Sequence, residues 1–412
     1  MIVVGAGAAG VAAALRLSGA GLSVVVLEAG ARVGGRAHTV VREGMALDLG
    51  CGWLHSGERN PWTFEAERLG LTVDLSKARW DVQWLGLGFP EAEQQAFGAA
   101  FEAFDAEVER LAAGPDVALS EALPVAGEWA GAVDAVVGYL DGACASQVSL
   151  IDHHAFDAAA SDNNWRVREG YGTAVARAAE GLDIRLGAVV EAVVVTPAGV
   201  RVSGSFGTIE AARVIVTVST GVLGAIRFDP LLPGKVTDAG KLPMGHVGKL
   251  YLAVEGADDL PVNGHLRGRP RDTCSASHRL RPFGWPVVEC YFGGPYAEAL
   301  ARLGEAGTAD AMIGELAGLL GNDWRHRLRP IAASAWHSEP HIGGAWSYAR
   351  PGEHDARLRL AEPVGDRIFF AGEACEPVDI GTAHGAHATG VRAADAVVRS
   401  LGRLTPGPRA AL

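Results

Sequence analysis

Three glycines near the start of the chain, followed by an acidic residue, have the types and spacing needed to bind a dinucleotide. Gly5, Gly7 and Gly10 follow a short apolar strand, and Glu28 ends the next strand. In such a βαβ unit the glycines allow a tight turn, close approach of the backbone to a pyrophosphate, and helix–strand packing. The phosphates lie at the helix N-terminus. Glu28 is predicted to accept a hydrogen bond from a ribose hydroxyl, and its charge disfavours the 2′-phosphate of NADP.

A second glycine-rich segment follows Glu28 directly and carries two arginines. Arg32 and Arg36 flank the pair Gly34 and Gly35. A pyrophosphate held by a helix N-terminus on one side and by guanidinium groups on the other suits a permanently bound FAD better than an exchanging NAD. The sequence therefore predicts FAD as the cofactor.

Both segments resemble those of the flavin amine oxidase family, which includes monoamine oxidases, polyamine and spermine oxidases, and flavin histone demethylases. The resemblance returns near the other end of the chain, where a strand at 367–370 precedes Gly372 and Glu373, and a helix begins near Thr382 and Ala383. In the family, the glycine–glutamate pair meets the ribityl and pyrophosphate region. The helix N-terminus faces the flavin ring, where its dipole would stabilise the anionic reduced form.

Lys249 is one of four lysines in the chain and lies between apolar neighbours. Its segment matches the lysine-bearing strand of the family, and the resemblance implies that Lys249 holds a water against flavin N5 and assists reoxidation by dioxygen. A buried ammonium there would also stabilise negative charge on the ring. The alternative is a strand lysine whose head reaches solvent.

Residues 336–348 resemble the family segment that runs beneath the flavin and forms one wall of the substrate site, with Trp336 predicted to contact the cofactor. Ala345 stands where monoamine oxidases have a cysteine covalently attached to the flavin, which implies non-covalent FAD. Trp346 stands where the family often has a tyrosine and would offer an aromatic face to an amine, with core packing as the alternative. Thr382 replaces the second tyrosine of monoamine oxidases, a pattern closer to polyamine oxidases and histone demethylases.

Residues 48–56 are similar to a polyamine-oxidase run that lines the substrate tunnel near the flavin. His55 is predicted to hydrogen-bond the reacting amine or help it lose a proton, and a capping or core role is equally open. L-Amino-acid oxidases, by resemblance, bind the substrate carboxylate with an arginine in this region, and none occurs between Asp48 and Glu58. Three acids are candidates for binding a distal ammonium or are ordinary surface residues: Glu58, Asp81 and Glu169.

The predicted activity is FAD-dependent oxidation of the C–N bond of an amine, either polyamine-like or another primary or secondary amine. By resemblance, hydride transfer from the α-carbon to flavin N5 gives an imine and then an aldehyde, and dioxygen becomes hydrogen peroxide. Three alternatives stay open: an amine dehydrogenase with another acceptor, a flavoenzyme like desaturases or protoporphyrinogen oxidase, and a non-enzymatic scaffold. The predicted catalytic residues are Lys249, His55, Trp346 and Thr382.

The predicted fold is α/β, with a Rossmann-like FAD-binding domain interleaved with an α+β substrate-binding domain. The FAD-binding domain is expected to be discontinuous, because the first and last motifs must meet around one cofactor. The predicted domains are residues 1–55, 165–240 and 355–400 for FAD, residues 56–164 and 241–354 for the substrate, and a tail at 401–412.

Several elements follow from local patterns. Residues 170–172 and 184–202 are predicted to be strands that return to the cofactor domain, where Val190, by resemblance, contacts the adenine end. Residues 211–218 are predicted to form a strand of the parallel sheet. Apolar residues at spacings of four and three, from Phe97 to Leu111, predict a core helix that stops before Gly114.

The composition is that of a globular protein, with 49% hydrophobic and 20% charged residues among 412. A net charge of −12 argues against non-specific binding to nucleic acids. Five scattered cysteines without a CxxC spacing indicate reduced thiols, and the first strand begins too early for a secretory signal, so a cytoplasmic location is expected. Without a run of about 18 apolar residues, no membrane partner is predicted. No metal site is predicted, and the oligomeric state is left open.

Overall fold

The computed structural model describes residues 1–402 of the chain. Within that range eighteen strands alternate with helices. In chain order the strands are β1 (Ile2–Val4), β2 (Val25–Leu27), β3 (Thr39–Arg42), β4 (Met45–Asp48), β5 (Val73–Asp74), β6 (Arg166–Val167), β7 (Ile184–Arg185), β8 (Val190–Thr196), β9 (Gly199–Gly204), β10 (Gly207–Ala211), β11 (Val214–Val216), β12 (Arg227–Asp229), β13 (Val247–Val254), β14 (Gly264–Arg267), β15 (Ser277–Leu280), β16 (Val287–Gly293), β17 (Leu328–Ala333) and β18 (Ile368–Phe370).

Twelve α-helices lie in the same range. None of them is long and apolar enough to cross a membrane. In chain order they are α1 (Ala8–Gly19), α2 (Pro61–Arg68), α3 (Glu91–Ala112), α4 (Ala130–Asp141), α5 (Leu150–Ala159), α6 (Tyr171–Ala178), α7 (Thr220–Leu223), α8 (Pro233–Lys241), α9 (Gly294–Leu320), α10 (Trp324–Arg327), α11 (Ala356–Ala361) and α12 (Ala383–Ser400).

A parallel sheet joins the beginning, middle and end of the chain, with strand order β18-β11-β1-β2-β7. Its central strands are short, apolar and buried, as expected when helices cover both faces of a parallel sheet. Helices α1 and α12 pack closely, since a Cβ on Gly390 would come 2.2 Å from the Ala9 carbonyl oxygen. This arrangement confirms the α/β class and the Rossmann-like βαβ unit.

An antiparallel sheet, with strand order β14-β15-β16-β13-β17, forms the second layer that concerns the site. Alternate residues along its strands point to opposite faces. Leu250, Leu252 and Cys290 point into an apolar core that is completed by Met312 and Leu316 of α9. The other face carries polar and charged side chains.

Most predicted elements are confirmed. Helix α3 contains the predicted apolar stripe, and β11 and β18 lie in the parallel sheet. Residues 184–202 do form strands, although only β7 joins the parallel sheet, while β8 and β9 pair within a separate sheet of order β10-β9-β8-β12.

The strand predicted at residues 170–172 is wrong. Gly170 adopts a left-handed backbone with φ of +96° and precedes α6, which begins at Tyr171. The Asp48 carboxylate accepts hydrogen bonds from the Tyr171 and Gly172 amides at 3.1 and 3.4 Å. A charge that satisfies the first amides of a helix stabilises its N-terminus.

The domain boundaries stay a prediction. The five strands of the parallel sheet fall in the three ranges assigned to FAD, and the antiparallel sheet falls in 241–354. The predicted tail lies, from residue 403 onward, outside the described residues.

Candidate active site

A cavity of about 1200 Å³ lies between the carboxyl ends of the parallel strands and the polar face of the antiparallel sheet. Ligands of open α/β sheets bind at the carboxyl ends of the strands. The volume exceeds the roughly 300–1,000 Å³ of a typical small-ligand site. It therefore leaves room for a cofactor and a substrate together. Of the predicted catalytic and cofactor-binding residues, all except Gly10 line it.

The two glycine segments lie against each other at one end of the cavity. Gly7 and Gly34 form a parallel bridge, and a Cβ on Gly35 would lie 3.3 Å from the Gly7 Cα. A Cβ on Gly7 would meet no atom closer than 3.9 Å, so its free side opens into the cavity. Gly10 instead allows packing, because a Cβ there would come 1.9 Å from the Gly5 carbonyl oxygen. This cradle at the N-terminus of α1 fits a pyrophosphate.

Glu28 lies at the end of β2 and holds the two loops that border it. Its carboxylate accepts a hydrogen bond from the Ala6 amide and another from the Gly30 amide, both at 2.7 Å. Val190, the first residue of β8, lines the same end of the cavity. Contacts of Glu28 with a ribose and of Val190 with an adenine stay predictions.

The two predicted arginines have different partners. Arg36 Nη1 lies 2.7 Å from Glu373 Oε1 and donates to the Ala345 carbonyl at 2.8 Å. The Arg32 guanidinium lies 6.0 Å from the centre of the Trp336 ring, and burial lowers its pKa. Arg36 is thus balanced by a carboxylate from the other end of the chain, which the sequence analysis did not anticipate.

Trp336 and Ala345 form the layer beneath this end of the site. The Trp336 indole is buried and donates to the Leu49 carbonyl at 3.0 Å. A Cβ on Gly50 would lie 3.1 Å from the indole, so the ring packs directly on that loop. Ala345 is buried and has no sulfur that could attach to a flavin.

Lys249 is buried, with 6% of its surface exposed, so the alternative of a solvent-exposed head is wrong. Its Nζ lies 3.2 Å from Glu289 Oε1 and donates to the Asp48 carbonyl at 3.1 Å. Glu289 also pairs with Arg279 at 3.2 Å. Burial alone would raise the pKa of Glu289, but the charges of Arg279 and Lys249 lower it to about 2. Glu289 was not predicted from the sequence, although a lone acid among apolar strand residues was a usable signal.

His55 lines the cavity with an edge-on contact to Phe156. Its Nδ1 lies 2.6 Å from Asn164 Oδ1, an acceptor, so that nitrogen carries the proton. Burial lowers the pKa of His55 to about 4, and the imidazole is neutral at physiological pH. Its Nε2 is then a hydrogen-bond acceptor.

Trp346 and Thr382 meet at the N-terminus of α12. A Cβ on Gly381 would lie 2.8 Å from the Trp346 ring, and the indole donates to the Leu140 carbonyl at 3.1 Å. The Thr382 hydroxyl donates to the Asp379 carbonyl at 2.7 Å and accepts from the Gly385 amide at 2.9 Å. Thr382 is therefore a helix cap, and Trp346 supplies the aromatic surface.

The predicted carboxylates for a distal ammonium lie mostly elsewhere. Glu58 bonds to Ser161 and Glu169 bonds to Thr72, and neither lines the cavity, whereas exposed Asp81 does. Among the acids that were not predicted, Asp141 and Asp157 line the wall formed by α4 and α5.

His153 accompanies these two acids. Its Nδ1 lies 2.8 Å from Asp141 Oδ2. Burial alone would lower the pKa of His153, but Asp141 raises it above the ordinary value, and Asp157 adds to the increase. A sequence pattern could not indicate this cluster, because its members come from different helices.

Known proteins with similar sequences and structures identify the family of this chain. The model of the flavin containing amine oxidoreductase family matches residues 8–135 and 120–398. Polyamine oxidase 2 of Arabidopsis thaliana is 30% identical over 96% of this chain and 87% of its own length. Polyamine oxidase 3 of Oryza sativa subsp. japonica is 31% identical over 96% of this chain and 88% of its own length.

A solved structure of putrescine oxidase bound to putrescine has the same fold. It aligns with a TM-score of 0.80 and 21% identity over 97% of this chain and 98% of that chain. The family match includes Gly10, the glycine segment after Glu28, Lys249 and most of the last helix, so the prediction from sequence is confirmed. This chain belongs to the flavin-containing amine oxidoreductase family, and it is an FAD-dependent amine oxidase that binds its cofactor non-covalently.

Proposed function

We propose that the enzyme oxidises a linear aliphatic amine and uses dioxygen as the electron acceptor. When bound, FAD accepts two electrons from the C–N bond and passes them to the acceptor. The observation that carries the proposal is Lys249, an ammonium held inside the cavity by Glu289 and the Asp48 carbonyl. The names of the relatives, polyamine oxidases and a putrescine oxidase, support a linear amine as the substrate.

Lys249 has one donor to spare. An ammonium has three N–H donors, and two of them are directed to Glu289 and Asp48. The third is free to hold a water or the anion that forms as dioxygen is reduced. A fixed positive charge in a site without bulk water stabilises such an anion far better than solvent does.

The opposite wall positions the amine. Trp346 offers a flat aromatic surface, and neutral His55 offers Nε2 as an acceptor for an amine N–H. Burial in this cavity favours the uncharged amine over its ammonium form, because desolvation disfavours charge. Activity should therefore rise with pH until the substrate is fully deprotonated.

The test is anaerobic mixing of the holoenzyme with spermidine, putrescine, octylamine and benzylamine, followed by admission of air. Loss of the flavin absorbance near ~450 nm with a linear amine, and rapid recovery in air with one peroxide per turnover, would support the proposal. Recovery that needs an added electron carrier would identify a dehydrogenase. Bleaching by benzylamine alone would contradict a linear substrate.

A further inference from the structure

The antiparallel sheet presents a row of four cavity-lining residues, one from each of four neighbouring strands. Arg267 on β14 pairs with Ser277, Ser277 with Tyr291, and Tyr291 with Lys249 on β13. Neighbouring strands lie about 4.8 Å apart, so the first and last Cα atoms of the row are roughly 14 Å apart. Lys249 marks the reaction centre at one end of the row, and Arg267 occupies the other end.

Arg267 differs from the arginines around it. Within residues 1–402 its guanidinium has no carboxylate within salt-bridge distance and no hydrogen-bond acceptor, and it lies 4.3 Å from the centre of the Phe97 ring. The four other arginines between residues 264 and 284 all have acidic partners. These pairs are Arg269 with Asp272 and Glu315, Arg271 with Glu93 and Glu128, Arg279 with Glu289, and Arg281 with Asp258.

An unpaired guanidinium in a cavity has a clear chemical preference. Removing it from bulk water is costly unless an anion accompanies it, and stacking on Phe97 offsets only part of that cost. The group carries five donors in a planar fork that matches a carboxylate. Burial also lowers the pKa of Arg267, as expected for a cation without a counter-ion.

Two acids of the cavity lie near the other end of the row, Glu289 beside Lys249 and Asp141. Asp141 directly follows Leu140, whose carbonyl accepts the hydrogen bond from Trp346. Asp141 also lies close enough to Tyr291, the neighbour of Lys249, to influence its pKa. Arg267 thus lies at the opposite end of the row from these two acids.

We propose that Arg267 binds a carboxylate at the far end of the substrate, so that the substrate is a linear amine with a terminal carboxylate. This inference rests on the proposed amine oxidation and names its substrate class. An α-amino acid carries its carboxylate on the carbon that is oxidised, so it cannot reach both ends of the row. An ω-amino acid with several methylene groups can span it across Ser277 and Tyr291.

The reaction leaves the carboxylate unchanged. The C–N bond loses two electrons to dioxygen, water adds to the imine, and the products are an aldehyde carboxylate, ammonia and hydrogen peroxide. One amine, one dioxygen and one water balance these three products. Arg267 acts on binding and orientation, and no proton or electron passes through it.

Three amines of equal chain length separate the possibilities: 8-aminooctanoate, octylamine and 1,8-diaminooctane. We expect the wild-type holoenzyme to favour 8-aminooctanoate over octylamine in kcat/KM by at least about tenfold, the usual worth of a charge-assisted hydrogen bond. Arg267→Gln should remove this preference by lowering kcat/KM for 8-aminooctanoate far more than for octylamine. Arg267→Lys keeps the positive charge but loses the paired planar donors of the guanidinium, so it should retain part of the preference for 8-aminooctanoate.

Arg271→Gln is the matched control, because Arg271 is exposed, paired with surface acids and absent from the cavity wall. It should keep the wild-type preference. Octanoate, which has no amine, gives a readout that does not depend on turnover: it should quench tryptophan fluorescence and bind at least about tenfold more weakly to Arg267→Gln.

Two results would overturn the inference while leaving amine oxidation intact. One is a wild-type preference for 1,8-diaminooctane, and the other is an equal rate with octylamine and 8-aminooctanoate. Failure of all three amines to bleach the flavin would instead contradict the proposed function. The wild-type preference is informative even if a variant fails to fold.

Discussion

The two walls of the cavity are built by opposite means. On the parallel-sheet wall the ligand would contact the backbone. Gly7 and Gly34 are paired there, and the absence of side chains leaves space for the ligand. On the antiparallel-sheet wall the ligand meets charged side chains, with Lys249 and Glu289 at one end of a row and Arg267 at the other. The shape of the first wall requires glycines, because a Cβ at several of these positions would collide with neighbouring backbone. The stability of the second wall requires that its buried charges have partners of opposite charge. Changes in the first should affect folding and cofactor content, and changes in the second should affect rates.

The buried ion pair between α5 and α11 should give the largest effect. Arg357 is completely buried and pairs with Asp152 through contacts of 2.6 and 2.7 Å, while also donating to Ser347. Asp152→Asn keeps the shape but leaves the arginine uncompensated, which should cost about 3–5 kcal/mol of unfolding free energy. Urea unfolding of the holoenzyme measures this loss. The exposed pair Arg201 and Glu210 is the control, and Glu210→Gln should cost at most about 1 kcal/mol.

The same pair predicts how stability depends on pH. Burial alone would raise the pKa of Asp152, but Arg357 lowers it well below the ordinary value. A carboxyl whose pKa is depressed by folding stabilises the protein above its unfolded pKa of about 3.9 and loses that contribution as pH falls further. Wild-type stability should decline in this acid range, and Asp152→Asn should lack that part of the decline. Equal acid sensitivity of both proteins would mean that the ion pair of Asp152 and Arg357 does not contribute to this decline.

The parallel-sheet wall was largely predictable from the sequence because its requirements are local. The spacing of Gly5, Gly7 and Gly10, and the glycines after Glu28, specify a backbone shape within about thirty residues of chain. The antiparallel wall depends on which residues become neighbours across strands. Lys249 was found as a lone charge in an apolar strand, and Glu289 could have been found in the same way.

Other features have no local signal. Arg36 and Glu373 are 337 positions apart, and no spacing in the sequence connects them. Helix α6 was mistaken for a strand because Asp48, which caps it, lies more than a hundred positions earlier. The lack of a carboxylate partner for Arg267 cannot be seen in the sequence, because it emerges only when the structure shows which acids pair with the neighbouring arginines. Sequence therefore identified the kind of chemistry, and the structure identified the charges that refine it.

Lys249 should give the largest effect on rate. Lys249→Met keeps the length of the side chain and removes the ammonium, leaving Glu289 paired with Arg279 alone. Reoxidation of the reduced enzyme by air should slow roughly a hundredfold, as when one preorganised charge or donor is removed. Stopped-flow absorbance measures it, with anaerobic reduction by the amine as the internal reference. Equal slowing of both half-reactions would mean that Lys249 shapes the cavity rather than assisting dioxygen.

Gly10 tests the backbone wall. Gly10→Ala places a methyl group where only 1.9 Å separates it from the Gly5 carbonyl oxygen, so strand and helix must separate. We expect a loss of about 1–3 kcal/mol and a lower FAD content per chain, measured by thermal unfolding and absorbance. Gly19→Ala, in the same helix with no atom near the new methyl group, is the control and should keep both values. Full flavin content in Gly10→Ala would show that the cradle adapts.

Substitution of His55 should give the smallest effect on the rate. The variant tests whether a neutral side chain that orients the amine contributes differently from the charged side chains of the antiparallel sheet. The pKa of His55 is lowered to about 4 by burial, so the imidazole stays neutral throughout the range in which the enzyme is active and cannot store a proton. His55→Asn should weaken amine binding slightly but leave the alkaline rise of kcat/KM in place. That rise should instead follow the substrate, moving to lower pH with an amine of lower pKa, because burial selects the neutral amine. The measurement is the pH profile of wild type and variant with two such amines. A rise that disappears in His55→Asn, or that does not move with the pKa of the amine, would mean that His55 acts as the base.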